Sequence, residues 1–297
     1  MAVIMGAFPL WLQASGKLSL RVYGGWAYLQ AGDANPGTQG FFDWGSSYLA
    51  PPPGGLIEGG YASLHGGYEL GGDIILKLSP KLGIGLGAGY LESEHPYRPE
   101  PPMMTITDNP QGQGWIKYFN TGTKLSAIPV RLGAFLTLPL GGKVSFIANA
   151  GISGYLKARY EGIWNVNFVY SGKMGIWPAQ TFSTEAQKNG PGLGFHGGLG
   201  IDYAFFRKWS FFVEAQGRVA KFAGFEGQTD CWAVDAQVFP PFYEIGNLYY
   251  ESAPQVPGSP RLIMVQSAPP AGPDGQPREA VVDFSGFNLQ AGIRIYF

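Results

Sequence analysis

Charge is scarce in this chain. Only 14% of the residues are Asp, Glu, Lys or Arg, against about 25% in a typical soluble domain, so the surface of an ordinary water-soluble enzyme is a poor match. Neither sign prevails. A net charge of -1 and a pI near 6.3 remove the basic balance that would draw the chain to nucleic acid. Cysteine is nearly missing: the lone Cys231 excludes an intrachain disulfide framework or a Cys-rich metal site, and a small residue in a loop is its expected role. Long apolar runs are missing too, and nothing in the sequence approaches the roughly 18 consecutive apolar residues of a membrane-crossing helix.

What is abundant is Gly (46), Pro (24) and aromatic residues (15%), arranged in two-residue alternation. From Tyr61 to Ser79 the even positions carry Leu64, Tyr68, Leu70, Ile74, Leu76 and Leu78, whereas His65, Glu69, Asp73 and Lys77 fall on the odd ones. Such a period belongs to a strand with two chemically different faces. Seven further segments behave alike, at about 17–31, 82–95, 125–139, 143–161, 192–206, 209–223 and 281–297. Their connections alternate in length. Ser79-Pro80-Lys81, Leu140-Gly141-Gly142 and Arg207-Lys208 are hairpin turns, while roughly 32–60, 96–124, 162–191 and 224–280 are long loops rich in Pro, Gly and aromatics.

These features predict an all-β fold: a transmembrane, antiparallel, up-and-down barrel of eight strands with short periplasmic turns and long extracellular loops. In the fifth segment the alternation continues through Trp164, Val166, Phe168 and Tyr170, so the sheet is expected to run on into its loop. A ten-stranded alternative would recruit Cys231–Phe239 and Leu262–Gln266. No fixed repeat or interdomain linker interrupts residues 15–297, which are expected to form one domain. Residues 1–14 (MAVIMGAFPLWLQA) resemble the apolar part of a signal peptide without its positive start, and are read as a signal remnant or an N-terminal plug.

The alternation alone leaves open which face is outside, since a soluble lipocalin-like barrel would bury the apolar one. The apolar parity carries aromatics near its ends: Trp26, Tyr28, Tyr90 and Tyr160 towards the long loops, and Phe146, Tyr203, Phe205, Trp209 and Phe211 towards the turns. Two such girdles around an apolar band fit a membrane. The other parity collects Arg21, Glu69, Asp73, Lys77, Arg131, Lys157, Arg159, Asp202, Glu214, Arg218 and Arg294. Each Arg or Lys among them would cost about 2–4 kcal/mol on the lipid face at the midplane, a sum rivalling a whole protein's stability of roughly 5–15 kcal/mol. In a membrane they must therefore face inward, as a paired lumen network. Glu92, Glu94, Lys221 and Asp283, of opposite parity, lie at the loop ends of strands, where water is available.

The last strand ends Gln290-Ala291-Gly292-Ile293-Arg294-Ile295-Tyr296-Phe297. Its Gln290, Gly292, Ile295 and Phe297 look like the terminal assembly signal of outer-membrane barrel proteins. With this signal in place, the chain resembles the small OmpA/OmpX-type outer-membrane barrels, a group that includes opacity-type and OmpW-like proteins. The resemblance spans about residues 17–297 in architecture and rests on no diagnostic loop string. It implies residence in the outer membrane of a diderm bacterium with loops outside, contact with outer-membrane lipid, and handling by barrel-assembly machinery. Members include anchors, adhesins, small-solute conduits and lipid-modifying enzymes, so it implies no single task.

Sites of chemistry are sparse. Outer-membrane lipid deacylases resemble a His-x-Ser pair beside a carboxylate, yet His196 and His65 are each followed by two glycines and His95 stands among acids. No catalytic residue, cofactor or metal ligand is assigned. The glycine-rich LGIGLGAGY (82–90) lacks the Lys and the following helix of a phosphate loop; read as a strand, it puts Gly83, Gly85, Gly87 and Gly89 in the lumen. An eight-stranded barrel is just wide enough for side chains to fill, and Phe135, Phe206, Phe212 and Phe222 on the lumen parity favour filling over a narrow conduit. Loop aromatics remain, notably Phe41, Phe42, Trp44, Trp164, Phe242 and Tyr243, either packed as a cap or exposed as a contact surface. The expected role is thus non-enzymatic: a plugged barrel whose loops touch its own copies, another envelope protein or a surface, with a solute conduit and a lipid-modifying enzyme as alternatives.

Overall fold

A computed structural model describes residues 18–98, 101–170, 176–233, 241–252, 261–269 and 278–297; the residues read as a signal remnant lie outside them. The chain opens with β1 (Leu18–Gly32), a helix α1 (Ala34–Tyr48), β2 (Leu56–Gly59), β3 (Gly66–Lys77), β4 (Leu82–His95) and β5 (Met104–Thr107). Two strands of 27 residues follow, β6 (Trp115–Gly141) and β7 (Val144–Tyr170), then β8 (Ile176–Lys188), β9 (Gly192–Phe206), β10 (Trp209–Val219) and β11 (Lys221–Phe222). β12 (Phe225–Ala233), β13 (Phe242–Ser252), β14 (Arg261–Gln266) and β15 (Val282–Tyr296) complete the order.

Among the described residues all strands join one antiparallel sheet of fifteen, not the expected eight. Within it, β1, β3, β4, β6, β7, β9, β10 and β15 pair successively, and β15 returns to β1. Six of the additional strands come from stretches expected as loops; the seventh, β11, falls within the segment read as 209–223 and pairs with β15. β5 and β2 extend from the upper part of β6, and β8, β12, β13 and β14 from the upper part of β7. Closure is therefore uneven: a ring of strands at the short-turn end widens into an open cup at the other. At about 3.3 Å per residue, β6 and β7 far exceed the roughly 25 Å apolar band of a membrane barrel. The two runs of the ten-stranded alternative fall in β12 and β14, in the cup rather than in the ring; residues 234–239 lie outside the described residues.

Local chemistry explains the hairpins. Gly141 and Gly142 adopt positive φ (131° and 58°) at the β6–β7 turn, a conformation open to glycine at no steric cost. Ser79 Oγ accepts the backbone N–H groups of Lys81 (3.3 Å) and Leu82 (3.1 Å), closing the β3–β4 turn. Around the ring, outward side chains form an apolar band that includes Val22, Leu70, Ile74, Leu86, Leu132 and Leu199. Trp26, Tyr68, Tyr90 and Phe287 edge it towards the cup; Tyr203, Phe206, Trp209 and Phe211 edge it towards the turns.

Two expectations about parity fail at bulges. Between Ser126↔Arg159 and Ile128↔Leu156, β7 has one residue more than β6, and Lys157 at φ 49° absorbs it. Beyond this bulge the faces of β7 exchange: Lys157 and Arg159 point outward, while Tyr160, assigned above to a girdle, is fully buried. A second irregularity, at Trp209/Ser210 beside the β9–β10 turn, accompanies Phe206, which is 71% exposed and not a lumen residue.

Candidate functional site

The ring's interior is filled by ionic side chains. Arg21, 1% exposed, donates to Glu214 (2.7 Å), lies 3.8 Å from Asp73 and covers the Phe212 ring at 4.0 Å. Glu69 is shared: Arg131 reaches one oxygen at 2.8 Å, and Arg218 (3.4 Å) and Asn288 (3.0 Å) reach the other. Arg131 also meets Tyr23 Oη and, at 3.0 Å, Gln216 Oε1. Arg218 donates further to the carbonyls of Phe284 (2.8 Å) and Tyr28 (2.9 Å). Buried charges survive only when paired and hydrogen-bonded, and here each carboxylate is held by at least one guanidinium.

Of the eleven residues assigned to this network, six form it: Arg21, Glu69, Asp73, Arg131, Glu214 and Arg218. Asp202 and Arg294 make a separate pair, 3.2 Å apart, nearer the short turns. Lys77 sits half-buried at that mouth with its ammonium 4.4 Å from the Tyr296 ring. Lys157 and Arg159 are outside, where Arg159 pairs with Glu185 (2.7 Å) and Glu161 (3.2 Å).

The neutral amides Gln216, Asn288 and Gln290 were missed because only charge was used to trace the lumen. Gln290, assigned to the assembly signal, donates to Glu214 at 2.8 Å. Gly292 has Tyr23 and Phe212 packed over it, so a side chain there would collide with them; Ile295 is half-buried and Phe297 is 57% exposed.

The lumen glycines are cradles rather than gaps. Phe135 covers Gly85, the Asp73 carboxylate lies against Gly87, and the Arg131 guanidinium against Gly89, leaving no room for a Cβ. Sequence reasoning also missed a Ser–His contact: Ser153 Oγ lies 2.8 Å from His196 Nδ1. Both are buried, and the imidazole is pressed against Gly151. Among the described residues no third group is hydrogen-bonded to this pair as a triad requires, and the pair lies inside the filled ring.

Above the ring the chemistry inverts. The cup interior is apolar and is closed by α1, which occupies residues expected as a loop. With three glycines and Pro36 in its first turn, the sequence ANPGTQGFFDWGSSY is a weak helix former, so tertiary contacts must hold it. Gly37 lies against Ile263, where a Cβ would come within 2.6 Å, and Gly45 lies flat on the Phe119 ring. Phe41 stacks on Trp164 (centroids 5.6 Å apart) and Trp44 (5.8 Å), and Phe42 on Tyr61 (5.9 Å).

Polar bolts fix both ends of the helix. Asp33 accepts from Val281 N (2.7 Å) and pairs with Arg278 (2.9 Å), Asn35 holds both backbone groups of Leu64, and Lys117 donates to Leu49 O at 3.0 Å. The last contact places a cation at the helix C-terminus, where the helix dipole favours it.

Four of the six aromatics proposed as loop contacts, Phe41, Phe42, Trp44 and Trp164, are therefore turned inward. Tyr243 (56% exposed) is outside, on one face of β12 and β13 with Trp232 (55%) and Ile245 (62%); Phe242 (39%) lies on the opposite face, paired with buried Cys231 and tilted on Phe182 at 6.1 Å. Cys231 is buried in β12 rather than placed in a loop; burial pushes its thiol pKa up, and the hydrogen bond from Gln180 partly opposes this. Glu251 in β13 is likewise held above the usual carboxylate range by burial, with Gln266 donating at 2.5 Å in opposition.

The sequence matches no protein-family model and no curated protein. Similar solved structures are outer-membrane proteins. They include the outer membrane protein OprG from Pseudomonas aeruginosa, at 12% identity over 95% of this chain and 96% of that one, with a TM-score of 0.40. The outer membrane protease OmpT from Escherichia coli gives 11%, 95%, 94% and 0.25. A Pseudomonas aeruginosa FadL homologue gives 8%, 94%, 90% and 0.20.

Proposed function

We propose that this chain is an integral outer-membrane β-barrel of a diderm bacterium, sealed along its axis, with the short turns in the periplasm and the cup outside. Its role is non-enzymatic contact through the cup, with further copies or another envelope protein. The membrane placement rests on one observation: large apolar side chains are exposed all round the ring, while its interior holds the arginines and carboxylates. Water would favour the reverse arrangement, and exposed apolar patches of this extent mark a non-aqueous neighbour. The terminal Gln290, Gly292, Ile295 and Phe297 would serve recognition by the assembly machinery, with Gln290 doubling as a lumen ligand.

The contact role rests on Trp232, Tyr243 and Ile245, which are presented together on the outer face of β12 and β13 while most cup aromatics pack inside. The test is a triple substitution, Trp232→Ser with Tyr243→Ser and Ile245→Ser, in protein folded into vesicles. The expected result is an intact barrel with much reduced crosslinking to copies or co-isolated envelope proteins; undiminished association refutes the contact role. Planar-bilayer recording of the unaltered protein is expected to show no steady conductance, and a stable open level would refute the seal.

A further inference from the structure

The cations of this near-neutral chain are distributed unevenly along the barrel axis. Lys77, Lys81, Lys143, Arg207 and Lys208 all lie at the short-turn end. Among the described residues the carboxylate side chain at that end is Asp202, which is buried and already paired with Arg294. At the cup end, by contrast, outward cations stand beside acids: Lys124 with Glu92 (2.7 Å), Arg159 with Glu161 and Glu185, and Lys221 with Asp283 (3.2 Å). At one rim these cations meet acids of the chain; at the other, among the described residues, the cations have no such partner.

The depth of these cations is fixed by their neighbours. Each turn follows directly on the exposed apolar band: Leu78 (60%) and Leu82 (45%) flank Lys81, Leu140 (64%) precedes Lys143, and Phe206 (71%) and Trp209 (41%) bracket Arg207 and Lys208. The turn backbones are pinned. Thr137 N donates to Lys81 O (2.8 Å), Ala204 N to Lys143 O (2.9 Å) and Tyr296 N to Lys208 O (2.9 Å). Rigid turns thus hold flexible cationic side chains just beyond a band edged with Trp and Phe, at the level of phospholipid headgroups.

We infer that the short-turn rim is a binding surface for anionic phospholipid headgroups of the surrounding leaflet. Phosphate oxygens supply the acceptors that the lysine ammonium and arginine guanidinium groups lack among the described residues. The inference rests on the membrane placement proposed above. Near an anionic leaflet, each Lys or Arg favours the charged surface by roughly fivefold, so the rim as a whole is expected to enrich such lipids well beyond that.

The test uses the full chain in nanodiscs of equimolar phosphatidylglycerol and phosphatidylcholine, with native mass spectrometry counting the lipids retained on release. A variant carrying Lys81→Ser, Lys143→Ser, Arg207→Ser and Lys208→Ser is examined in parallel. Unaltered protein is expected to retain phosphatidylglycerol in about fivefold or greater excess, and the variant, inserted equally well, to retain both lipids alike. Equal retention by the unaltered protein overturns the inference, as does an excess that survives in the variant. Binding of soluble acidic polymers without any lipid preference would assign the rim to a different partner and overturn it too. Failure of the unaltered protein to insert at all removes the membrane placement and this inference together, an outcome distinct from insertion without preference.

Discussion

The ring and the cup are walled by the same two long strands yet obey opposite solvents. In the ring, β6 and β7 turn Arg131, Asn149 and Ser153 inward and Leu132 and Ile152 outward; in the cup they turn Leu125, Phe119 and Trp164 inward and Lys124, Arg159 and Glu161 outward. The lower part is ordered as though its surroundings were oil, the upper part as though they were water. Hydrogen-bonded strands impose neither arrangement, so the boundary is set by side chains and, on β7, by one added residue.

The sharpest way to break the comparison is to remove a shared charge from the ring. Glu69→Ala would leave Arg131 and Arg218 buried without their carboxylate, at an expected cost of about 3–5 kcal/mol. Arg159→Ala, which breaks an exposed pair in the cup, is expected to cost under about 1 kcal/mol. Urea unfolding of both variants in vesicles measures the gap, and similar midpoints would mean that ring and cup do not differ as described. Next in size, Leu86→Arg puts a cation on the outer face of the ring, with an expected loss of about 2–4 kcal/mol at the midplane. The same titration checks it; a neutral effect would place that face in water.

How much of this was legible beforehand varies strand by strand. On β6 the change of solvent is written in the sequence, because charge moves from an odd position (Arg131) to an even one (Lys124) across the apolar stretch Ile128–Val130. On β7 the written pattern stays in phase, charged or polar on odd positions from Ser153 to Glu161, and the backbone inverts it at Lys157. No periodicity analysis registers a bulge at a residue that fits the alternation, which is why Lys157, Arg159 and Tyr160 were placed on the wrong faces. The six central network residues were found because burying charge demands partners and so constrains where it stands. α1 was hidden because its glycines and proline are poor helix formers, and the reason for them, close approach to Ile263 and Phe119, lies in residues far away along the chain.

Smaller effects sharpen the picture of the cup. Gly37→Ala forces a methyl to within 2.6 Å of Ile263, an overpacking expected to cost about 1–3 kcal/mol. It should loosen α1 without touching the ring, so limited proteolysis is expected to cut the cup and spare the ring strands; unchanged resistance would show that the contact yields.

The smallest expected effect is that of pH. Burial raises the Glu251 carboxyl pKa above its unfolded value of about 4.3, so the folded cup holds this proton more tightly than the unfolded chain does. Its contribution is complete below the unfolded pKa and declines as pH rises through the higher folded value. Hydrogen-exchange protection factors at β13 and β14, corrected for the base-catalysed intrinsic rate, are accordingly expected to be highest in acid and to fall on neutralisation. Glu251→Gln should flatten that dependence, and a dependence identical in the variant would assign it to another group.

The bulge at Lys157 carries a broader lesson for reading such walls. A sheet has only two sides, so a single supernumerary residue acts as an inverter, letting one ribbon serve two dielectric regimes at the cost of a local gap in its ladder. Contour length then ceases to measure the height of the apolar band: the 27 residues of β7 cover that band and the cup above it, and the crossover is marked by a torsion angle at Lys157 rather than by any change of composition.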